Sequence, residues 1–308
     1  MVVEKERVCV TGAGGFIASW VVNYLLSKGY IVHGTVRDPF DEKNAHLKKL
    51  EKATENLQLF KAELQDYNSL YAAISGCSGV FHVASPVPSG RVANPEVEVV
   101  EPALTGTRNI LRACTEAKVK RVVVVSSLAA VILNPNWPKD QVMDESCWSD
   151  KELCRTIENW YFLAKTESES EALEYGKTNG LGVVTVCPSL TIGPMLQSTM
   201  NTSSMLLVKV LKDVRDVAEA VLLAYERPEA EGRYLCSAYS VKGQGLVDKL
   251  KSMYPNYSYP KKITEADAGE DRKLSCEKLQ KLGWKYRTLE ESLVDSVQNY
   301  QEKGILDN

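Results

Sequence analysis

Short β-branched runs that alternate with longer amphipathic stretches predict an α/β fold, a doubly wound parallel sheet with helices on both faces. Two observations sharpen this. The first run, Val8-Cys9-Val10, ends in a glycine-rich turn that opens directly into an apolar helix pattern. The same alternation then continues to about residue 187, and right-handed crossovers between parallel strands would place successive helices on opposite faces.

The strands are expected at 8–10, 31–36, 57–62, 80–83, 121–126 and 182–187, and the helices at 17–27, 45–52, 69–75, 96–116 and 160–179. After Pro188 the pattern loosens and resumes as a helix at 214–225, a strand at 233–237 and helices at 245–254 and 289–303. Residues 1–187 therefore read as a Rossmann-type dinucleotide domain. Residues 188–308 read mainly as a small C-terminal substrate lobe, with some segments returning to the sheet.

Composition sets outer bounds. Hydrophobic residues make up 44% and charged residues 25% of the 308, ordinary values for a folded globular chain. With 37 basic against 40 acidic side chains the net charge is −3, which offers no general attraction to nucleic acid or to an anionic membrane. No apolar run approaches membrane-spanning length, and the opening residues leave no room for a secretory leader, so the cytoplasm is the expected compartment and a monomer or weak dimer the expected state. Eight scattered cysteines lack the close pairing of a zinc site, and His33, His46 and His82 stand in separate contexts, so no metal is expected. Cys147 and Cys154 flank the loop before the helix at 160–179 and are expected as packed, reduced thiols.

Three motifs carry chemistry. In Thr11-Gly12-Ala13-Gly14-Gly15-Phe16-Ile17-Ala18 the glycines allow a tight turn and a close approach of backbone N–H groups to a pyrophosphate. The helix that follows offers the same phosphates its positive end. The second strand ends in Thr35-Val36-Arg37-Asp38, where an acid would take the ribose hydroxyls of NAD and a guanidinium would pair with the 2′-phosphate of NADP. Arg37, with Lys43 near it, favours NADP(H). The third motif is Ser127 at a strand end, followed by Tyr161 and Lys165 at helical i and i+4. The ammonium can favour the phenolate and lower the tyrosine pKa, which suits Tyr161 to act as a general acid toward a carbonyl oxygen that Ser127 also touches.

These motifs, with the strings Gly34-Thr35-Val36-Arg37-Asp38-Pro39, Phe81-His82-Val83-Ala84-Ser85-Pro86, Asp144-Glu145-Ser146-Cys147-Trp148 and Lys281-Leu282-Gly283-Trp284, resemble the extended short-chain dehydrogenase/reductases over nearly the whole chain. Within them the chain is similar to the plant cinnamoyl-CoA reductase and dihydroflavonol reductase group. The resemblance implies a catalytic set of Ser127, Tyr161 and Lys165. It implies an NADP(H) site formed by Gly12, Ala13, Gly14, Gly15, Phe16 and Ile17 at the pyrophosphate, and by Arg37 and Lys43 at the 2′-phosphate. Glu63 and Leu64 would lie beside adenine, and Val83, Ala84 and Ser85 along the cofactor. Pro188, Ser189, Leu190, Thr191 and Ser203 would line the nicotinamide half, which Tyr161 and Lys165 also reach.

The implied activity is reduction of a carbonyl on an aromatic, phenylpropanoid-type small molecule. Between Tyr161 and Lys165 this chain has Phe162-Leu163-Ala164 where the cinnamoyl-CoA reductases have Cys-Tyr-Gly. Leu206 and Gly243 stand where that group has a His and an Arg at the CoA end, and Lys209 keeps its Lys. Relatives also carry a loop and a short strand before Asp213 that this chain lacks, which would let 204–226 run as one helix and rebuild the substrate wall. A dihydroflavonol-type ketone reductase and an NADPH-binding form impaired in turnover stay open as alternatives. Ser127 is followed by Leu128-Ala129-Ala130 and not by the acids that dehydratases place there, which favours a reductase.

Overall fold

In β1 (Arg7–Thr11) Val8 and Val10 point to one face of a sheet and Cys9 to the other, and all three are fully buried in the computed structural model, which describes residues 5–86, 93–198, 211–237, 243–257, 259 and 273–306. A strand whose two faces are both covered belongs in the middle of an α/β sheet. Val122 and Val124 oppose Val123 and Val125 in the same way in the fifth strand, β5 (Arg121–Val125).

The elements follow in the order β1, α1 (Phe16–Ser27), β2 (Ile31–Val36), α2 (Ala45–Lys48), α3 (Ala53–Asn56), β3 (Leu57–Lys61), α4 (Tyr67–Ile74), β4 (Gly79–His82), α5 (Glu101–Glu116), β5 (Arg121–Val125), α6 (Lys151–Thr156) and α7 (Trp160–Asn179). Then come β6 (Gly182–Pro188), β7 (Leu190–Ile192), β8 (Leu211–Asp213), α8 (Val214–Glu226), β9 (Gly232–Cys236), α9 (Gly243–Met253), α10 (Glu277–Lys281) and α11 (Leu289–Glu302). Seven of the strands form one parallel sheet in the order β3-β2-β1-β4-β5-β6-β9. The chain winds outward from β1 to β3 and then returns to the other side of β1, so the order reverses between β1 and β4. Their carboxyl ends open a crevice there, the place where such sheets bind ligands.

Helices α1 and α8 cover one face through Val21, Leu25, Val217 and Val221; α4, α5 and α7 cover the other through Leu70, Ile74, Ile110, Leu111 and Ala172. Helix α8 and strand β9, both beyond Pro188, are thus built into the sheet layers. Among the described residues no cysteine is joined in a disulfide, and Cys147 and Cys154 lie in separate apolar clusters.

Two expectations change. The helix expected over 45–52 ends at Lys48, and the chain restarts as α3 after a left-handed Lys52 (φ 64°). The continuous helix expected over 204–226 does not form: residues 211–213 are extended and pair in parallel with β7, and α8 begins only at Val214. Asp213 is the cause. Its backbone is extended (φ −68°, ψ 131°), and its side chain accepts the Arg215 N–H, capping the helix at that point. The fully buried carboxylate is neutralised by Arg215, whose guanidinium bonds it at 2.9 and 2.7 Å and reaches Asp295 of α11 at 2.6 Å.

Removing that carboxylate takes away a helix cap and the bidentate partner of Arg215, which is left with Asp295 alone of the two acids. Asp213→Ala should therefore cost about 3 kcal/mol or more, while Asp213→Asn, which keeps the cap acceptor, should lose less. Thermal unfolding of both variants beside the parent checks this, and equal melting temperatures for Asp213→Ala and the parent would contradict it.

Candidate functional site

At the switch between β1 and β4 lies a cleft of about 1770 Å³ whose lining includes Gly12, Gly14, Arg37, Ser127, Tyr161 and Lys165. Its floor is set by the glycine turn. Gly12 holds φ +64°, and a side chain there would also press on Ala84. Gly14 is required for space, since an added Cβ would stand 2.2 Å from the Asn44 carboxamide oxygen. Helix α1 has Gly15 as its N-cap and no side chain bonded to its first turn, so the N–H groups of that turn are open to an anionic ligand. These features fit a dinucleotide pyrophosphate. Ala13 lies beneath the turn and not in the cleft: it is fully buried and its N–H donates to the Thr35 carbonyl at 2.9 Å.

Around the far side of the turn, Arg37 and Lys43 both line the cleft, whereas Asp38 does not. The Asp38 carboxylate accepts the N–H of Phe40 at 2.9 Å and so is folded into its own turn. Asn44 ties the segment down by donating its amide N–H to the Asp38 carbonyl at 2.8 Å while its oxygen faces Gly14. Lys43 pairs with Asp41 at 2.5 Å, an exposed contact that a phosphate could readily replace. Sequence reasoning missed Asn44, a buried polar residue whose only signal is its position between a basic pair and a short helix.

Glu63, Leu64, Val83, Ala84 and Ser85 line the same cleft, as do Pro188, Ser189, Leu190 and Thr191; Ser203, Leu206 and Lys209 lie outside the described residues. The 83–84 backbone is anchored by Thr11, whose hydroxyl oxygen accepts the N–H groups of Val83 and Ala84 at 3.1 and 3.0 Å. The Thr11 proton then has one destination, the Nδ1 of His82 at 3.0 Å. His82 is therefore neutral with its proton on Nε2. Burial, and secondarily the Lys165 ammonium, push its pKa down to about 3.

Helix α7 brings Tyr161 and Lys165 into the cleft, one turn apart, because Asn159 caps its start by accepting the Phe162 N–H at 3.3 Å. Tyr161 is 37% exposed. Lys165 donates to the Val125 carbonyl at 3.4 Å, at the end of β5, and two residues later Ser127 enters from that strand. Ser127 accepts the Ala129 N–H at 3.1 Å, which leaves its own O–H to donate. Beyond this triad the cleft wall is mostly apolar, with Ile132, Leu133, Pro135, Leu153, Phe162 and Leu274 interrupted by Asn134 and Asn159. Leu274 arrives from far along the chain, held by backbone bonds between Met143 N–H and Lys273 O and between Ser275 N–H and Met143 O, both 2.8 Å. No local pattern announces it. Trp148 and Trp160 do not line the cleft.

A doubly wound sheet, an open helix N-terminus above a glycine turn, and a Ser, Tyr and Lys at the mouth define a nicotinamide-dinucleotide oxidoreductase. The chain belongs to the NAD dependent epimerase/dehydratase family, the extended short-chain dehydrogenase/reductases, whose model matches residues 8–213. It is 45% identical to cinnamoyl-CoA reductase 1 of Petunia hybrida over 320 residues, spanning 99% of this chain and 95% of that one. That alignment is longer than the 308 residues here, so the relative carries residues without a counterpart in this chain. Vestitone reductase of alfalfa (Medicago sativa L.) superposes with a TM-score of 0.83 at 34% identity, covering 98% of this chain and 100% of that structure. Gre2 of Candida albicans, in complex with NADPH, superposes at 0.82 with 27% identity over 97% and 99% of the two chains. No helix among the described residues is long and apolar enough to cross a membrane.

Because the folded chain holds His82 below the ordinary 6.5, His82 supports stability fully above pH 6.5 and less as pH falls toward 3. His33 and His46, also lowered by burial, act in the same direction. His82→Asn, which can still accept from Thr11, should lower the melting temperature at pH 7 and flatten its decline from pH 6.5 to 4 relative to the parent. Parallel profiles would show that His82 titrates normally.

Proposed function

We propose that this chain uses NADPH to reduce a carbonyl on an aromatic, phenylpropanoid-type small molecule, as a cinnamoyl-CoA-reductase-like enzyme; the carbonyl belongs to an aldehyde, a ketone or a hydroxycinnamoyl-CoA thioester. The reading is carried by one observation: Ser127, Tyr161 and Lys165 converge with the glycine turn in a single cleft whose far wall is mostly apolar. An apolar wall with a few convergent polar groups suits a flat aromatic body whose one reactive oxygen needs to be fixed.

In this reading Gly12, Gly14, Gly15, Phe16 and Ile17 hold the pyrophosphate, and Arg37 and Lys43 hold the 2′-phosphate. Glu63 and Leu64 flank adenine, 83–85 line the cofactor, and 188–191 lie along its nicotinamide half. When bound, the reduced nicotinamide supplies the hydride. The protein's own task is the substrate oxygen. Ser127, with one lone pair taken by the Ala129 N–H, donates its proton toward that oxygen and fixes it. Tyr161 releases its phenolic proton to the same oxygen, and the Lys165 ammonium stabilises the phenolate left behind. His82, kept neutral behind Lys165, adds no competing charge. NADPH is preferred over NADH because Arg37 faces the cleft and the Asp38 carboxylate is turned away from it.

Tyr161→Phe should lower kcat by roughly 10²- to 10⁴-fold while NADPH still binds, measured by NADPH oxidation across hydroxycinnamoyl-CoA esters, aromatic aldehydes and ketones, and dihydroflavonols. Parent-like turnover in Tyr161→Phe would remove the tyrosine from the chemistry, and no turnover by the parent on any of these would remove the reductase reading. Arg37→Ala should weaken NADPH by about tenfold or more and leave NADH nearly unchanged; equal losses for the two would show that Arg37 does not read the 2′-phosphate.

A further inference from the structure

One helical turn beyond Lys165, on the sheet-facing side of α7, sits Glu169, 1% exposed. Every oxygen of its carboxylate is engaged. Oε1 accepts from Thr185 Oγ1 at 2.6 Å, Arg233 Nε at 2.8 Å and the Cys187 thiol at 3.1 Å. Oε2 accepts from Ser126 Oγ at 2.7 Å and from Arg233 Nη2 at 3.3 Å. Burial and the Glu169 charge push the Cys187 thiol well up, so it stays a donor.

Arg233, on β9 and 5% exposed, reaches further. It donates to the carbonyls of Cys147 at 2.8 Å, Glu145 at 3.1 Å and Ala130 at 3.3 Å, and its guanidinium lies 3.4 Å from the centre of the Trp148 ring. A buried pair of this kind is a poor way to gain stability, since apolar residues of the same volume often do as well. What it grips is informative. Ser126 and Ala130 are the two ends of the short turn that presents Ser127, and the pair holds both.

The geometry points to Glu169 and Arg233 as positioning residues that clamp the Ser127 turn to the helix carrying Tyr161 and Lys165. Glu169 rides on that helix, so holding Ser126 from it fixes the Ser127 hydroxyl relative to the tyrosine oxygen it works with. Arg233 closes the other end of the turn through Ala130. Ser149 Oγ donates to the Ala129 carbonyl at 2.7 Å and ties the same turn independently, so loss of the clamp should loosen the turn without unfolding it. The inference rests on the reductase reading of Ser127 and Tyr161, and its test separates the two.

Three variants of the full chain divide the contacts: Glu169→Gln, Ser126→Ala, and Thr185→Val, which removes a bond to the same carboxylate but none to the Ser127 turn. Glu169→Gln and Ser126→Ala should each lower kcat by roughly ten- to a hundredfold, with the KM for NADPH within about twofold of the parent and with the double variant no worse than the poorer single. Thr185→Val should lose thermal stability yet keep kcat within about twofold. Hydrogen exchange followed by mass spectrometry should show protection lost over 126–131 in Glu169→Gln and retained there in Thr185→Val. A Glu169→Gln protein that melts earlier but keeps the parent kcat overturns the inference, as does equal kcat loss in Thr185→Val. Should the parent itself turn over no carbonyl, the reductase reading fails, and hydrogen exchange alone decides the clamp: loss spread evenly over the chain, or none at 126–131, overturns it.

Discussion

A carboxylate and a guanidinium removed from water together, Glu169 and Arg233, are where α7, β6, β9, the 145–148 loop and the turn after β5 meet. Taking either charge away would leave its partner buried and uncompensated, a loss of about 3–5 kcal/mol in comparable pairs. Neither element can therefore shift by even an ångström without breaking several bonds at once. The sheet supplies the bulk of the stability through its valines and leucines, but those contacts are forgiving of small slips. The charge pair is not, and it sits directly beneath the groups that face the cleft.

The same rigidity organises the cofactor half. Thr11 spends both of its hydroxyl's functions internally, accepting from the 83–84 backbone and donating to His82, and the glycine turn is tied to β2 by the Gly12 and Ala13 N–H groups on Thr35, while Asn44 bonds the Asp38 carbonyl beside Gly14. The phosphate-facing loops are thereby fixed relative to each other before any ligand arrives, which reduces the ordering that binding would otherwise require.

Much of this was legible in the sequence wherever the signal is local. The strands of the sheet show as β-branched runs, the glycine turn shows by its place between a strand and a helix, and Tyr161 and Lys165 show by a spacing that α7 keeps. Contacts that depend on distant partners left no such trace. Nothing near Leu274 indicates that it will reach a cleft whose other lining residues all lie at or before Thr191, and Glu169 and Arg233 each look like ordinary exposed charges until the fold brings them together. The break before α8 lay between these cases. Asp213 is a familiar cap, but it stands directly after Leu211 and Lys212 in a run with no glycine or proline, and the pairing of 211–213 with β7, which no local pattern shows, joins the cap in favouring the extended start over a longer helix.

The Met143–Leu274 bridge divides the cleft by ancestry within the chain. The side proposed for the dinucleotide is built from the ends of β1, β2 and β4, and the opposite wall from the 132–135 segment, α6 and a strip near residue 274. Replacements on that wall touch neither the glycine turn nor the bonds around Thr11 and Asn44. A lineage with this architecture can exchange one substrate for another through a handful of apolar positions while its redox half is inherited unchanged.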